Sequence, residues 1–258
     1  VILAAVLMLN MAACGGQESG TSGETADTEE SGSDSETADP ADSTAVAAED
    51  LTFGVTVSFI TGYYSAMIDG INETAEEMGI EVIPFSVKNP QNEKTLYSDC
   101  FAKPRAKQLM YSDTKKTFKN MFGIVRATVW NYDAEIRLRK LIRDTKPDVV
   151  YILHEVNHLS PSIIRAAHKE GVRVVHRISD FFMFCPKYDF LCENEICESC
   201  LHGNYKKAIE KRCVKGSKFG TLLRIFAMKL YKRTKVFDDV DQFVCTCEFS
   251  KKKMIEGG

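Results

Sequence analysis

The stretch that most limits what this chain can become runs from Lys146 to Ser217. Asp148–Leu153 is a short apolar run rich in Val and Ile, long enough for a strand buried on both faces and too short for a helix. Ser160-Pro161 reads as a helix start, with Ser as cap and Pro at the first helical position. Ile163, Ile164 and Ala167 fall on one face of that helix, and Gly171 supplies its stop. Val172–Ile178 is a second apolar run. Strand, helix and strand at this spacing predict a right-handed crossover in a parallel sheet. Polar residues that follow such strands gather where parallel sheets receive ligands. Here they are His154, Glu155, Asn157, His158, Ser179 and Asp180.

The same pattern recurs on both sides. Phe53–Phe59 suits a strand, Tyr64, Met67, Ile68, Ile71 and Ala75 lie at helical spacing before Gly79, and Ile80–Phe85 suits another strand. Lys88–Lys107 is polar and reads as a loop, and Asp113–Val125 reads as helix. Tyr132, Ile136, Leu138, Leu141 and Ile142 pattern a helix that feeds the strand after Pro147. Later, Ser217 caps a helix whose Phe219, Leu222, Leu223, Phe226 and Leu230 form the expected core face. Lys218, Arg224, Lys229, Lys232, Arg233 and Lys235 form its basic face, read either as solvated or as a contact for anionic lipid or an anionic lipid-linked acceptor. Phe243–Thr246 gives a last strand and Phe249–Glu256 a last short helix.

Several pieces of the chain resemble the N-terminal domain of the subfamily-4-like glycosyltransferases of the two-Rossmann-domain type. They are KPDVVYILH, HLSPSIIRAAHKEGVRVV, SDFFMFCP, CESCLHGNY and RCVKGS, with EVIPFSVKNPQNEKTLYSDCF and DQFVCTCEFSKKKMIEGG further out. Several motifs in order over about two-thirds of the chain make a specific signal. The resemblance implies an α/β fold, a Rossmann-like parallel sheet with flanking helices. It also implies sugar transfer from a nucleotide sugar to a glycan or lipid-linked acceptor, with no nucleic acid as partner. In such transferases the first domain lends polar groups to the cleft and binds the acceptor, so His154, Glu155, Asn157, His158 and Asp180 become acceptor-binding candidates. The second domain holds the donor, and it is missing from these residues. The chain departs from the family pattern where Ser179-Asp180 replaces His-Asp, where Leu153-His154 replaces His-Asn, and where Phe59–Tyr63 replaces a glycine-rich first loop. A general acid or base is therefore not assigned among His154, Glu155, His158, His176 and Asp180.

The beginning of the chain is of another kind. Residues 1–14 are almost wholly apolar and end Met11-Ala12-Ala13-Cys14, which resembles a bacterial lipoprotein leader with Cys14 as the acylated residue. The apolar run is shorter than the roughly 20 residues that cross a bilayer. Residues 15–50 are Gly, Ser, Thr, Ala, Glu and Asp with one Gln, one Val, one Pro and no aromatic residue, too polar to bury a core, and are expected to be a disordered acidic linker. FGVTVSFITGYYSAMIDGINETAEEMGIEV resembles the opening of sugar-type solute-binding lipoproteins of import systems. Two families thus meet near Gly79–Ile83, with residues 51–82 on one side and 83–258 on the other.

Charge marks the same seam. The first 87 residues carry 16 acidic side chains and no Lys or Arg, so all 33 basic residues lie beyond them against 20 acids. Because both resembled families begin with strand, helix and strand, the joined chain could still form one sheet. The reading from another functional class is a sugar-binding lipoprotein of an ABC import system. The two readings disagree about place, since nucleotide sugars are cytosolic and acylated binding proteins face outward. Localisation is accordingly either a membrane-anchored lipoprotein or a cytoplasmic, membrane-associated protein.

The excursion from Asp180 to Ser217 concentrates cysteine. Cys192, Cys197, Cys200 and Cys213 have four, two and twelve residues between successive members, and Cys185 stands just ahead. Thiolates in close pairs with distant partners suit a structural zinc ion, with Cys185 as the other candidate for the fourth ligand. Disulfides, if the domain is exported, and reduced buried thiols are the competing readings. Cys245 and Cys247 alternate along a strand and read as packing residues.

Overall fold

A computed structural model describes residues 51–57, 62–90, 92–104, 123, 125–126, 128–155 and 158–258. The leader with Cys14, the acidic linker, most of the helix expected over Asp113–Val125, the loop after the first strand, and Asn157 lie outside the described residues.

Five parallel strands form one sheet: β1 (Thr52–Val57), β2 (Glu81–Ser86), β3 (Val149–Ile152), β4 (Arg173–Ile178) and β7 (Gln242–Cys245). Their spatial order is β2-β1-β3-β4-β7, and every neighbouring pair runs parallel. A two-residue hairpin, β5 (Leu191–Cys192) with β6 (Glu195–Ile196), stands apart. The helices are α1 (Gly62–Glu77), α2 (Tyr132–Thr145), α3 (Ser162–Lys169), α4 (Lys206–Glu210), α5 (Lys218–Thr234) and α6 (Glu248–Gly257). This is an α/β, Rossmann-like architecture, and the sheet continues without a break across Gly79–Ile83, with β1 wedged between β2 and β3.

Alternation along the strands divides the core between two faces. Val149 and Tyr151 point with Phe53, Val55, Leu153 and Val175 toward Ile71 and Ala75 of α1. Val150 and Ile152 point the other way, with Ile83, Phe85 and Val174, toward Leu138 and Leu141 of α2, Ile163 and Ile164 of α3, and Ala227 and Tyr231 of α5. All four residues of β3 are buried, as expected for a central strand covered on both faces. Two carboxylates close the sheet at the N-terminal ends of its strands. Asp148 accepts the Thr52 backbone N–H at 2.8 Å while its own N–H donates to Thr52 O, and Asp241 repeats the arrangement with Val174.

Helix ends follow their sequence signals in part. Asn131 caps α2 by accepting from Ala134 N, and Ser217 caps α5 by accepting from Gly220 N. Gly171, at φ +73°, ends the turn after α3. The start of α3 departs from expectation: Pro161 is its cap rather than its first residue, because Ser160 adopts φ +60° and spends its hydroxyl on Asn131 N and Ser162 Oγ.

Three facial assignments are corrected. In α2 the residues turned inward are Ala134, Glu135, Leu138, Leu141 and Ile142, whereas Tyr132 and Ile136 are exposed. Glu135 can occupy the inner face because Trp130 Nε1 and Lys169 Nζ both donate to its carboxylate. In α5 the inner face is Thr221, Arg224, Ile225, Ala227, Met228 and Tyr231, while the expected core residues Phe219, Leu222 and Phe226 face outward. Cys247 is not a strand residue: β7 ends at Cys245, and Cys247 is the exposed cap of α6, where its backbone N–H donates to Ser250 Oγ.

Candidate functional site

The polar residues after β3 and β4 meet at the C-terminal edge of the sheet because those strands are hydrogen-bonded neighbours. His154, two residues beyond β3, sets its Nε2 3.5 Å from Asp180 Oδ2, two residues beyond β4, and both side chains keep some exposure. Asp180 is held in place by its other oxygen, which accepts the Phe182 backbone N–H at 2.9 Å. Ser179 donates to the Leu153 carbonyl and accepts from Arg177 Nη1, linking the two strand ends.

Directly behind this pair lies a second, fully buried one. Glu155 Oε2 stands 2.9 Å from His176 Nε2, with the residues 1% and 2% exposed. His176 is on β4 itself, where the strand aims its ring inward, edge-on to Phe237 and Phe243. A buried carboxylate without a partner is costly, so each member requires the other.

Arg224 completes the cluster from the opposite side. Its residue is 5% exposed, and its guanidinium sits 5.4 Å over the Phe182 ring. Burial lowers its pKa, while the charges of Tyr231, Asp180, Glu155 and Tyr188 act in the other direction. Glu155 Oε1, His176 Nδ1, Arg177 Nε and Arg224 Nη2 have no hydrogen-bond partner among the described residues. Enclosed donors and acceptors of this kind call for ordered water.

His158 belongs to the same neighbourhood. Burial, and secondly the charge of His154, lower its pKa to about 4. It is therefore a neutral imidazole at pH 7, whose backbone carbonyl accepts from Asn131 Nδ2 at 2.6 Å.

The structure thus brings four of the five acceptor-binding candidates, His154, Glu155, His158 and Asp180, to one edge. Their environments differ: His154 and Asp180 keep 15% and 19% of their side chains exposed, whereas Glu155 is enclosed and serves to hold His176. Sequence reading missed Arg177, and it placed Arg224 on a basic surface. The signal for Arg224 was its register, one turn after Thr221 and two turns before Tyr231, both on the buried face.

The cysteine-rich excursion forms a second cluster. Glu193 and Asn194, both at positive φ, turn the β5–β6 hairpin so that Cys192 is buried, and Cys197 N–H donates to Phe190 O. Burial, followed by the charges of Cys185, Cys197, Cys213 and Cys192, pushes the Cys200 thiol up to about 12. Burial and then Cys192 push Cys213 to about 11. At Cys185 burial wins over three backbone hydrogen bonds, from Phe190, Lys187 and Tyr188, so that thiol is raised as well. At Cys197 burial also raises, but Ser199 and Lys207 together outweigh it and the pKa falls. All five thiols are free of disulfides. Among the described residues no three His, Cys, Asp or Glu side chains gather into a metal-holding group.

Fold and edge together define an α/β domain with a Rossmann-like parallel sheet and a charged cluster at the C-terminal ends of its central strands. Comparison with family models, with curated proteins and with solved structures finds no match.

Proposed function

We propose that residues 51–258 are the acceptor-side half of a retaining-type glycosyltransferase, receiving a glycan or lipid-linked acceptor at the β3–β4 edge. The observation that carries this reading is the partly exposed His154–Asp180 pair, backed by the enclosed Glu155–His176 pair and Arg224. A sugar hydroxyl both donates and accepts, and an imidazole beside a carboxylate offers it one partner of each kind. The inner pair and Arg224 fix the strand ends, so the outer groups are pre-positioned. The nucleotide-sugar donor would be held by a second Rossmann-like domain. Without it the advantage of holding both reactants together, worth about 7–11 kcal/mol in favourable cases, is lost.

The test mixes the purified chain with nucleotide sugars and sugar or lipid-linked acceptors, beside a fusion that appends a donor domain from a related transferase. Acceptor binding without turnover is expected from the chain, and product from the fusion. Asp180→Asn should weaken acceptor binding about tenfold, the size of one charge-assisted hydrogen bond, without moving the thermal midpoint. Product from the chain alone would overturn the half-enzyme reading. Tight binding of a free sugar, with no product from either protein, would move the weight to the sugar-binding lipoprotein.

Two further expectations belong to the same reading. Cys197, Cys200 and Cys213, with Cys192 or Cys185, would take one zinc ion by drawing together from the looser set of free thiols described above. Metal analysis under reducing conditions, with cobalt substitution to reveal thiolate charge-transfer bands, tests this; a metal-free protein indifferent to chelator leaves buried thiols. Cys14 would be acylated when its leader is processed, which mass spectrometry of the mature amino terminus decides.

A further inference from the structure

The corrected phase of α5 leaves an apolar stripe on the outside of the domain. At 100° per residue, Phe219, Leu222 and Phe226 fall within one narrow sector, opposite the inner face of Arg224, Met228 and Tyr231. They are 57%, 44% and 58% exposed, an unusual state for three large apolar side chains of one helix. Phe226 and Leu230 continue into an apolar groove of about 970 Å³ shared with Val129, Trp130, Tyr132 and Ile136.

The charge on this helix has one sign, while in the adjoining groove Glu135 is paired with Lys169. Lys218 and Lys229 lie along one flank and Arg233 at its end, with Lys232 beyond them. The helix contains no acidic residue, and among the described residues no carboxylate forms an ion pair with Lys218, Lys229, Lys232 or Arg233. Lys229 instead lies 5.9 Å over the Tyr205 ring. A protein partner with a matching apolar face would not require an unneutralised basic rim. A bilayer with anionic headgroups requires both features: apolar side chains enter the acyl boundary, and the lysines lie level with the headgroups.

We infer that α5 is an interfacial helix that docks the domain on an anionic lipid surface through Phe219, Leu222 and Phe226, with Lys218, Lys229, Lys232 and Arg233 on the headgroups. Among the described residues no helix is long and apolar enough to cross a membrane, so α5 lies in the surface rather than through it. The docking is independent of the proposed sugar transfer. It is also distinct from acylation at Cys14, because it acts through residues more than two hundred positions further along.

The test is flotation of the full chain with vesicles of phosphatidylcholine alone and with about one-third phosphatidylglycerol. Because the apolar leader can itself partition into lipid, Trp130 serves as the reporter: it is the chain's single tryptophan and lines the groove beside Phe226. A blue shift of Trp130 emission is expected only with the anionic vesicles, and it should be lost in high salt. Phe219→Ser with Phe226→Ser should weaken it by at least about tenfold, and Lys229→Glu with Lys232→Glu should weaken it without touching the apolar stripe. Both double variants change exposed side chains, so their unfolding midpoints should match the parent. An equal Trp130 shift with neutral vesicles, anionic binding with no Trp130 shift, or an unchanged shift in both double variants would overturn the inference.

Discussion

The central sheet and the excursion from Asp180 to Ser217 are neighbours built on different principles. In the sheet, period-2 apolar strands and period-3.6 helices bury a core on each face, and the backbone groups are consumed in regular ladders. In the excursion, order comes from tight turns: of nine non-glycine residues at positive φ among those described, six fall there, namely Tyr188, Phe190, Glu193, Asn194, Arg212 and Lys215. Its own apolar cluster is small, built on Phe184, Cys185, Phe190 and Leu201. One region is specified by a repeated pattern, and the other by individual residues in unusual conformations. Damage should accordingly spread in the first and stay local in the second.

The largest effect is expected at the boundary between them. Glu155→Ala leaves His176 and Arg224 buried with less compensation, and should cost about 3–5 kcal/mol in urea unfolding. Replacing Glu155 and His176 together by Leu should cost much less, and a loss as large as that of the single variant would break the account of the pair. Next, Ile152→Ala opens a cavity at the centre of the sheet and should cost about 2–5 kcal/mol.

An intermediate effect is expected from pH. His158 has a folded pKa of about 4 against an ordinary value of 6.5, so between those values the unfolded chain binds the extra proton. Stability is then full above about pH 6.5 and falls as the pH drops toward 4, by an order of about 3 kcal/mol if the whole shift is expressed. His158→Gln should flatten that part of the profile, as read by thermal midpoints across the window. The smallest effect belongs to the excursion: Ile196, 79% exposed on β6, should tolerate Ala within about 0.5 kcal/mol. A loss there as large as that of Ile152→Ala would erase the contrast between the regions.

Legibility in the sequence followed the same division. The strands from Phe53, Ile80, Asp148, Val172 and Phe243 were readable because a central parallel strand is apolar throughout, and their endpoints shifted by only a few residues. The polar edge was readable because it follows from strand ends alone. Helix phase was less so. In α2 and α5 the apolar residues chosen by spacing were partly the outward ones, because Glu135 and Arg224 entered the inner face with the distant partners Lys169 and Phe182. Partners separated by so much chain leave no local periodic trace. Ser160 misled for a related reason, its hydroxyl being shared between Asn131 N and the first helical residue, Ser162.

The carboxylate rings of Asp148 with Thr52 and Asp241 with Val174 have a consequence for how such a domain can change. Each acts as an alignment pin at the foot of the sheet, setting which residue faces which before the chain arrives at the opposite rim. Insertions or substitutions at that rim, including His154 and Asp180, therefore leave strand alignment untouched. The scaffold separates the end that keeps its geometry from the end that can be rewritten for a new ligand.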